Sequence, residues 1–277
     1  MPTGPWAYKL FSDKLPRVIG HRGAAALCPE NTIVSFTQAV KDGADILELD
    51  VRLTADGEVV VIHDATVDRT TDGVGKVSEI TLSHLRKLDA GYRFTQDGDK
   101  SFPFRNRHVR IATLAEVLRS FPETPLIIEL KGESKRLVDA VVSLLASYGR
   151  MYDGSVLIAG FKHSVLQRMR RAAPCLASAC SVREITVAVL RSRLRVSRQR
   201  PRPRSRMRAL QVPLKKRSVK IVTPRFIRHA HYLGLEVHVW TIDDDREMQR
   251  LLDLGVDGIF TNNPALLRRV VDSRKNR

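Results

Sequence analysis

Short apolar runs alternate along the chain with amphipathic stretches, and most of the short runs end on an ionisable residue. Runs at 17–20, 46–52, 59–63, 126–130, 156–161, 177–181, 209–213, 236–241 and 258–261 have the length and content of strands. Between most of them apolar residues recur at helical spacing, bracketed by start and stop residues. Asn31 is placed to cap a helix running to Lys41 and ended by Gly43, and Thr113 caps 114–121 with Glu116 at the capping-box position. Ser134 opens 135–148, and 163–172 stops before Pro174. Thr223 and Pro224 open 225–233, and 243–254 stops at Gly255. Alternating strand and helix predicts parallel strands, and eight such units close into an α/β fold, the (β/α)8 TIM barrel.

Two irregularities accompany that prediction. There are nine strand candidates for eight staves, and residues 53–58 are too few for a parallel crossover, which needs a dozen or more. Thr54-Ala55-Asp56-Gly57 reads instead as a tight turn. After this third strand, from about 65 to 110, Gly, Asp and Thr dominate and helical spacing fades, as in a small lid inserted over the barrel mouth. The expected organisation is an N-terminal extension over 1–16, a barrel domain over 17–271 and a basic tail over 272–277.

Parity along the strands gives the chemistry. Side chains alternate faces, so Glu48 and Asp50 point one way while Leu47, Leu49 and Val51 point the other. Ile127, Glu129 and Lys131 share a face in the same manner, and His21 and His63 close the first and third runs. Carboxylates at strand ends can be solvated or paired with Arg22 and Lys131. Three that converge inside a barrel need more positive charge, since two of them about 4 Å apart repel by roughly 4 kcal/mol at an effective dielectric near 20. A divalent cation supplies it, and all-oxygen ligation favours Mg²⁺, Ca²⁺ or Mn²⁺ over zinc. Two imidazoles beside such a cluster can take a proton from a nucleophile and return one to a leaving oxygen, while a guanidinium and an ammonium clamp a phosphoryl group.

In this order the motifs resemble the glycerophosphodiester phosphodiesterase family. They are GHRG at 20–23, PENT at 29–32, GADILELDVRLTADGEVVVIHD at 43–64, DRTTDGVG at 68–75, LDAG at 88–91, TLAEVL at 113–118, IIELK at 127–131 and DGIFTNNP at 257–264. The resemblance implies hydrolysis of a glycerophosphodiester to glycerol 3-phosphate and an alcohol. It casts His21 and His63 as the acid/base pair and Glu48, Asp50 and Glu129 as ligands of one divalent cation. Arg22 and Lys131 become phosphate contacts, Trp240 an aromatic contact near the substrate or a packed barrel residue, and Glu30 and Asn31 supports of the metal site. Ala112 departs from the family's usual proline before Thr-Leu, which bears only on the entry to a helix. Two alternatives stay open: a phospholipase of the lysophospholipase D or phosphatidylinositol/sphingomyelin type, and a catalytically silent barrel that binds polyanions.

Charge adds one feature that the resemblance does not cover. The 277 residues carry a formal net charge of +17, and the segment from Arg183 to Arg208 alone holds ten arginines against a single acid, Glu184. Three readings compete: a solvated, self-repelling loop, a docking segment for anionic membrane, or a nucleic-acid contact. The last is disfavoured because residues that stack on bases are missing from the tract. No apolar run approaches the roughly 18 residues of a membrane span. The first sixteen residues lack a basic head followed by an apolar stretch, and Cys28, Cys175 and Cys180 form no metal or disulfide pattern. A cytoplasmic enzyme, at most peripheral to a membrane, is expected.

Overall fold

The computed structural model describes residues 16–194 and 206–275. Residues 1–15, 195–205 and 276–277, and with them most of the expected N-terminal extension, half of the arginine tract and the end of the tail, lie outside the described residues. The strands are β1 (Arg17–Gly20), β2 (Ile46–Leu53), β3 (Val59–Val61), β4 (Leu126–Leu130), β5 (Val156–Ala159), β6 (Ala177–Ala179), β7 (Met207–Pro213), β8 (Lys215–Lys216), β9 (Val219–Lys220), β10 (Glu236–Trp240) and β11 (Gly258–Thr261). The helices are α1 (Ile33–Lys41), α2 (Leu82–Leu85), α3 (Leu114–Ser120), α4 (Lys135–Ser147), α5 (His163–Ala172), α6 (Val182–Leu194), α7 (Pro224–Tyr232), α8 (Asp245–Asp253) and α9 (Pro264–Lys275).

Eight of these strands form a closed parallel ring in the order β1, β2, β4, β5, β6, β7, β10, β11, with β11 pairing back onto β1. The ninth candidate, β3, is not a stave. It runs antiparallel to β2, with Val51 opposite Val61 and Leu53 opposite Val59. The Thr54–Glu58 turn that joins them is closed by Thr54 N–H to the Glu58 carbonyl at 3.0 Å and Glu58 N–H to Thr54 Oγ1 at 2.9 Å. Such a hairpin doubles back because so short a link cannot cross the sheet. Both faces of β3 are still covered. Val59 and Val61 join the core beneath α3 and α4, and Val60 joins a separate cluster with Ile62, Val67, Val77, Leu85, Ala90, Val109 and Ile111. That second cluster gives the stretch after β3 an apolar centre of its own.

Inside the ring Ile19, Ile46, Ile127, Leu157, Ala159, Ala179, Ala209 and Phe260 pack together. Outside it Leu47, Leu49, Leu126 and Ile128, all buried, pack on Phe36, Leu118, Val138 and Leu145 from the helices. Each such side chain contributes about 1.5–3 kcal/mol by leaving water. The amino-terminal end of the barrel is plugged by polar groups, with Arg17 Nη2 2.9 Å and His238 Nε2 2.8 Å from the Glu236 carboxylate.

Helix α1 starts one residue and α8 two residues later than the spacing predicts, and both shifts release a side chain for the site. Thr32, not Asn31, caps α1 by accepting from Ser35 N–H, and Asp244 caps α8 by accepting from Glu247 N–H, which leaves Asp243 outside the helix. The arginine tract is helical over its first half as α6, and the stretch after β7 contains the unforeseen hairpin β8–β9. No helix among the described residues is long and apolar enough to cross a membrane.

Candidate active site

Parity and register bring the three carboxylates together. Glu48 and Asp50 point into the ring from β2, and Asp50 lies directly beside Glu129 of β4 in the parallel register. One oxygen from each of Glu48, Asp50 and Glu129 lies within 4.8 Å of the others. Two cations enter this cluster. Lys131 Nζ is 2.7 Å from Glu129 Oε1 and 3.1 Å from Asp50 Oδ1, while Arg22 Nε is 3.3 Å from Asp50 Oδ2. Neutral donors complete the cage: Arg22 N–H donates to Glu48 Oε2 at 3.0 Å, and Asn31 Nδ2 donates to Asp50 Oδ2 at 2.9 Å. Asn31 Oδ1 accepts from the Asp50 backbone N–H, so one amide holds residue 50 at two points.

The loop after β1 bends sharply to deliver these groups. Arg22 (φ 53°) and Asn31 (φ 58°) both occupy the left-handed region, a conformation that costs of order 1 kcal/mol or more and persists where the surroundings impose it. Here Asn31 N–H and Ser35 Oγ both donate to the Arg22 carbonyl. Gly23 (φ 91°) follows, and a Cβ there would come within 2.4 Å of Ser35 Oγ.

The electrostatics of the cluster are unbalanced. Burial, then Asp50 and Glu129, push the Glu48 carboxyl well above the usual carboxylate range, and burial also pushes Glu129 up. Against the lowering effect of its own burial, Asp50 and Glu129 raise Lys131. With Lys131 and Arg22 in place, the fold still drives one buried carboxyl toward its protonated form. An all-oxygen donor set with surplus negative charge fits one hard divalent cation.

The two histidines are oriented by different partners. His21 Nδ1 lies 2.8 Å from Asn262 Oδ1, and the Asn262 amide is itself fixed: Nδ2 donates to Asp243 Oδ2 at 2.6 Å and the backbone N–H to Asp243 Oδ1 at 2.7 Å. A carboxylate can only accept, so Asn262 turns its carbonyl oxygen to His21, Nδ1 carries the hydrogen and Nε2 is left as the basic atom. Burial, then the Arg22 guanidinium, hold the ring below its ordinary range, so it is neutral at pH 7. His63 Nδ1 is 2.6 Å from Asp64 Oδ1. Arg69 Nε donates to Asp64 Oδ2 at 2.6 Å, and its two terminal nitrogens grip Glu30 at 2.7 and 2.8 Å. Glu30 in turn accepts from Arg22 Nη1 at 2.9 Å, which links His63 to the carboxylate cluster through an unbroken chain of charged groups.

Glu30, Asn31, Arg22 and Lys131 thus touch the carboxylates or a group that does, His63 and Trp240 reach them through intermediaries, and His21 is held apart from them by its own partner, Asn262. Trp240, at the carboxyl end of β10, packs edge-to-face on Phe161 at 6.1 Å, and Lys131 Nζ lies 5.4 Å from the Phe161 ring. Sequence reasoning missed Asn262, Asp243, Asp64, Arg69, Phe161 and Arg52. Arg52 donates to the backbone carbonyls of His63 (3.0 Å) and Lys131 (2.9 Å), pinning those two strand ends together. The TNN triplet at the end of the last strand was the one available signal, because a carboxamide there is costly to bury without a partner.

The pattern of the glycerophosphoryl diester phosphodiesterase family matches residues 21–266. The chain belongs to this family. It is a phosphodiesterase by that membership. A glycerophosphodiester phosphodiesterase of Caldanaerobacter subterraneus subsp. tengcongensis is 32% identical over 259 residues, covering 92% of this chain and 97% of the relative. A lysophospholipase D of Rattus norvegicus is 27% identical over 292 residues, covering 94% of this chain and 87% of the relative. Among solved structures, an Oleispira antarctica phosphodiesterase in complex with the product sn-glycerol-3-phosphate is similar with a TM-score of 0.74 and 25% identity, covering 93% of this chain and 97% of that one.

The Asp64–Arg69 pair has a pH signature. Chiefly through the Arg69 hydrogen bond, the Asp64 carboxyl is held down at about 2, below its value in an unfolded chain. A depressed carboxyl stabilises the fold fully above the unfolded value of about 3.9 and loses that contribution as pH falls toward 2. Urea midpoints measured between about pH 4 and pH 2 should therefore fall less steeply for Asp64→Asn than for the unaltered chain. Parallel slopes contradict the assignment.

Proposed function

We propose that the chain hydrolyses glycerophosphodiesters to glycerol 3-phosphate and an alcohol, with one divalent cation held by Glu48, Asp50 and Glu129. The observation that carries this reading is the convergence of three carboxylates, Arg22 and Lys131 at the carboxyl end of a barrel whose two strand-end histidines keep separate partners. Bound there, Mg²⁺, Ca²⁺ or Mn²⁺ supplies Lewis-acid polarisation of a phosphoryl oxygen. The protein's own groups do the rest. Arg22 and Lys131 bind the phosphoryl group, and Glu30 and Asn31 hold Arg22 and Asp50 in place for it.

His21, neutral and with Nε2 bare, takes the proton of the attacking water, or of the glycerol 2-hydroxyl, whose attack leaves a cyclic phosphodiester that a water molecule then opens to glycerol 3-phosphate. His63, its Nδ1 engaged by Asp64, protonates the departing alcohol oxygen from Nε2. Trp240 and Phe161 line the approach on the side of Lys131. Three free thiols agree with a cytoplasmic location. A lysophospholipid is the second substrate class supported, by the similarity to a lysophospholipase D.

The direct test is release of glycerol 3-phosphate from glycerophosphocholine, glycerophosphoethanolamine and a lysophospholipid, each with Mg²⁺, with Ca²⁺ and with chelator. Turnover that stops with chelator and falls about 10²–10⁴-fold in His21→Ala and in His63→Ala supports the reading. Unchanged turnover in both variants refutes it.

The role given to Asn262 and Asp243 has its own readout. In ¹⁵N spectra of the unaltered chain His21 should be a single Nδ1–H tautomer, and Asn262→Ala should mix the tautomers and lower kcat by about 10- to 100-fold. His63 serves as the unaltered internal reference. A His21 tautomer that does not respond to the substitution contradicts the role.

A further inference from the structure

Helix α6 has two apolar faces where a helix covering a barrel needs one. Ile185, Ala188 and Val189 pack inward with Leu210, Phe226 and their neighbours. Val187, Leu190 and Leu194, at i, i+3 and i+7, form a second stripe on the outside, with Leu190 53% and Leu194 69% exposed. Among the described residues nothing covers this stripe.

The hairpin β8–β9 lies beside the last turn of α6. It pairs Lys215 with Lys220 and Lys216 with Val219 around a turn at Arg217-Ser218, so four of its six residues are cations, all exposed, and Val219 is exposed with them. Arg193 Nη2 donates to the Lys220 carbonyl at 3.0 Å and Arg225 Nη1 to the Arg193 carbonyl at 3.3 Å, which joins helix and hairpin into one surface. Both contacts engage carbonyls, so neither guanidinium charge is cancelled by them. Glu247, which Arg250 already grips, is the acid that acts on Lys220. The hairpin leaves the carboxyl end of β7, and α7 starts at that same end, so the surface stands on the side of the barrel that carries the carboxylate cluster.

We propose that this surface docks the barrel mouth onto an anionic lipid surface. Lys215, Lys216, Arg217, Lys220, Arg191 and Arg193 meet the headgroups, and Leu190, Leu194 and Val219 enter the acyl boundary. A one-sign cationic cluster flanking an aliphatic stripe is the pattern of interfacial helices, and the lack of aromatic residues in it sets it apart from a base-stacking surface. The docking stands on these residues alone. Only its use, delivery of an amphiphilic phosphodiester to the mouth, rests on the proposed hydrolysis.

The test is co-sedimentation of the full chain with phosphatidylcholine vesicles, with and without phosphatidylserine, at two salt concentrations. Binding is expected to the anionic vesicles only and to weaken with salt. The combined substitution Lys215→Gln, Lys216→Gln, Arg217→Gln and Lys220→Gln should reduce it by about five-fold per charge, hence more than a hundred-fold. Leu190→Ser with Leu194→Ser should weaken binding and leave its salt dependence intact. Equal partitioning to both vesicle types, no binding, or unaltered binding by both variants overturns the proposal. Glycerophosphocholine turnover, measured in parallel, is expected to be the same in both variants as in the parent. Vesicle binding without turnover supports the surface and contradicts the hydrolase reading, so the two can fail separately.

Discussion

Like-charge repulsion among Glu48, Asp50 and Glu129 is the constraint around which the site is organised. Buried carboxylates whose oxygens lie within 4.8 Å of one another are costly, and each neighbouring feature lowers that cost. Lys131 and Arg22 bring charge, the Arg22 and Asn31 N–H groups bring donors, and the left-handed turns at those two residues aim the donors inward. Three carboxylates against two cations leave surplus negative charge, and burial, then Asp50 and Glu129, push the Glu48 carboxyl up. Retaining a net negative pocket is poor design for stability and sound design for holding a cation.

The same logic governs the histidines. Each is fixed at Nδ1 by a carbonyl or carboxylate oxygen, which leaves Nε2 as the atom for the proposed proton transfers, and the partners differ in charge. His21 meets a neutral amide locked by Asp243, while His63 meets a carboxylate tied through Arg69 and Glu30 to Arg22. Two rings of one kind thus sit in unlike surroundings, a condition for dividing acid and base work between them.

The barrel and its carboxylates were legible because strand periodicity is rigid: once 46–52 is a strand, Glu48 and Asp50 must share a face, and register did the rest. Legibility failed where side chains compete with backbone geometry. Asn31 looks like a helix cap and Asp243 like a first helical residue, yet Thr32 and Asp244 cap, and the displaced residues bind Asp50 and Asn262. The β3 hairpin was signalled by its short link but counted among the stave candidates, and β8–β9 was hidden because two-residue strands carry no period. The outward stripe of α6 was visible as apolar residues, but which of them face solvent depends on packing against α7.

Whether the carboxylate cage binds an ion is the point on which the mechanism turns. Titration of chelator-treated protein with Mn²⁺, followed by the spin-resonance signal of the free ion, measures it without reference to turnover. The account predicts one ion per chain, with affinity lowered by about 100-fold or more in Asp50→Asn. An unaltered chain that takes up no ion, or an Asp50→Asn chain that binds as tightly as its parent, would contradict it.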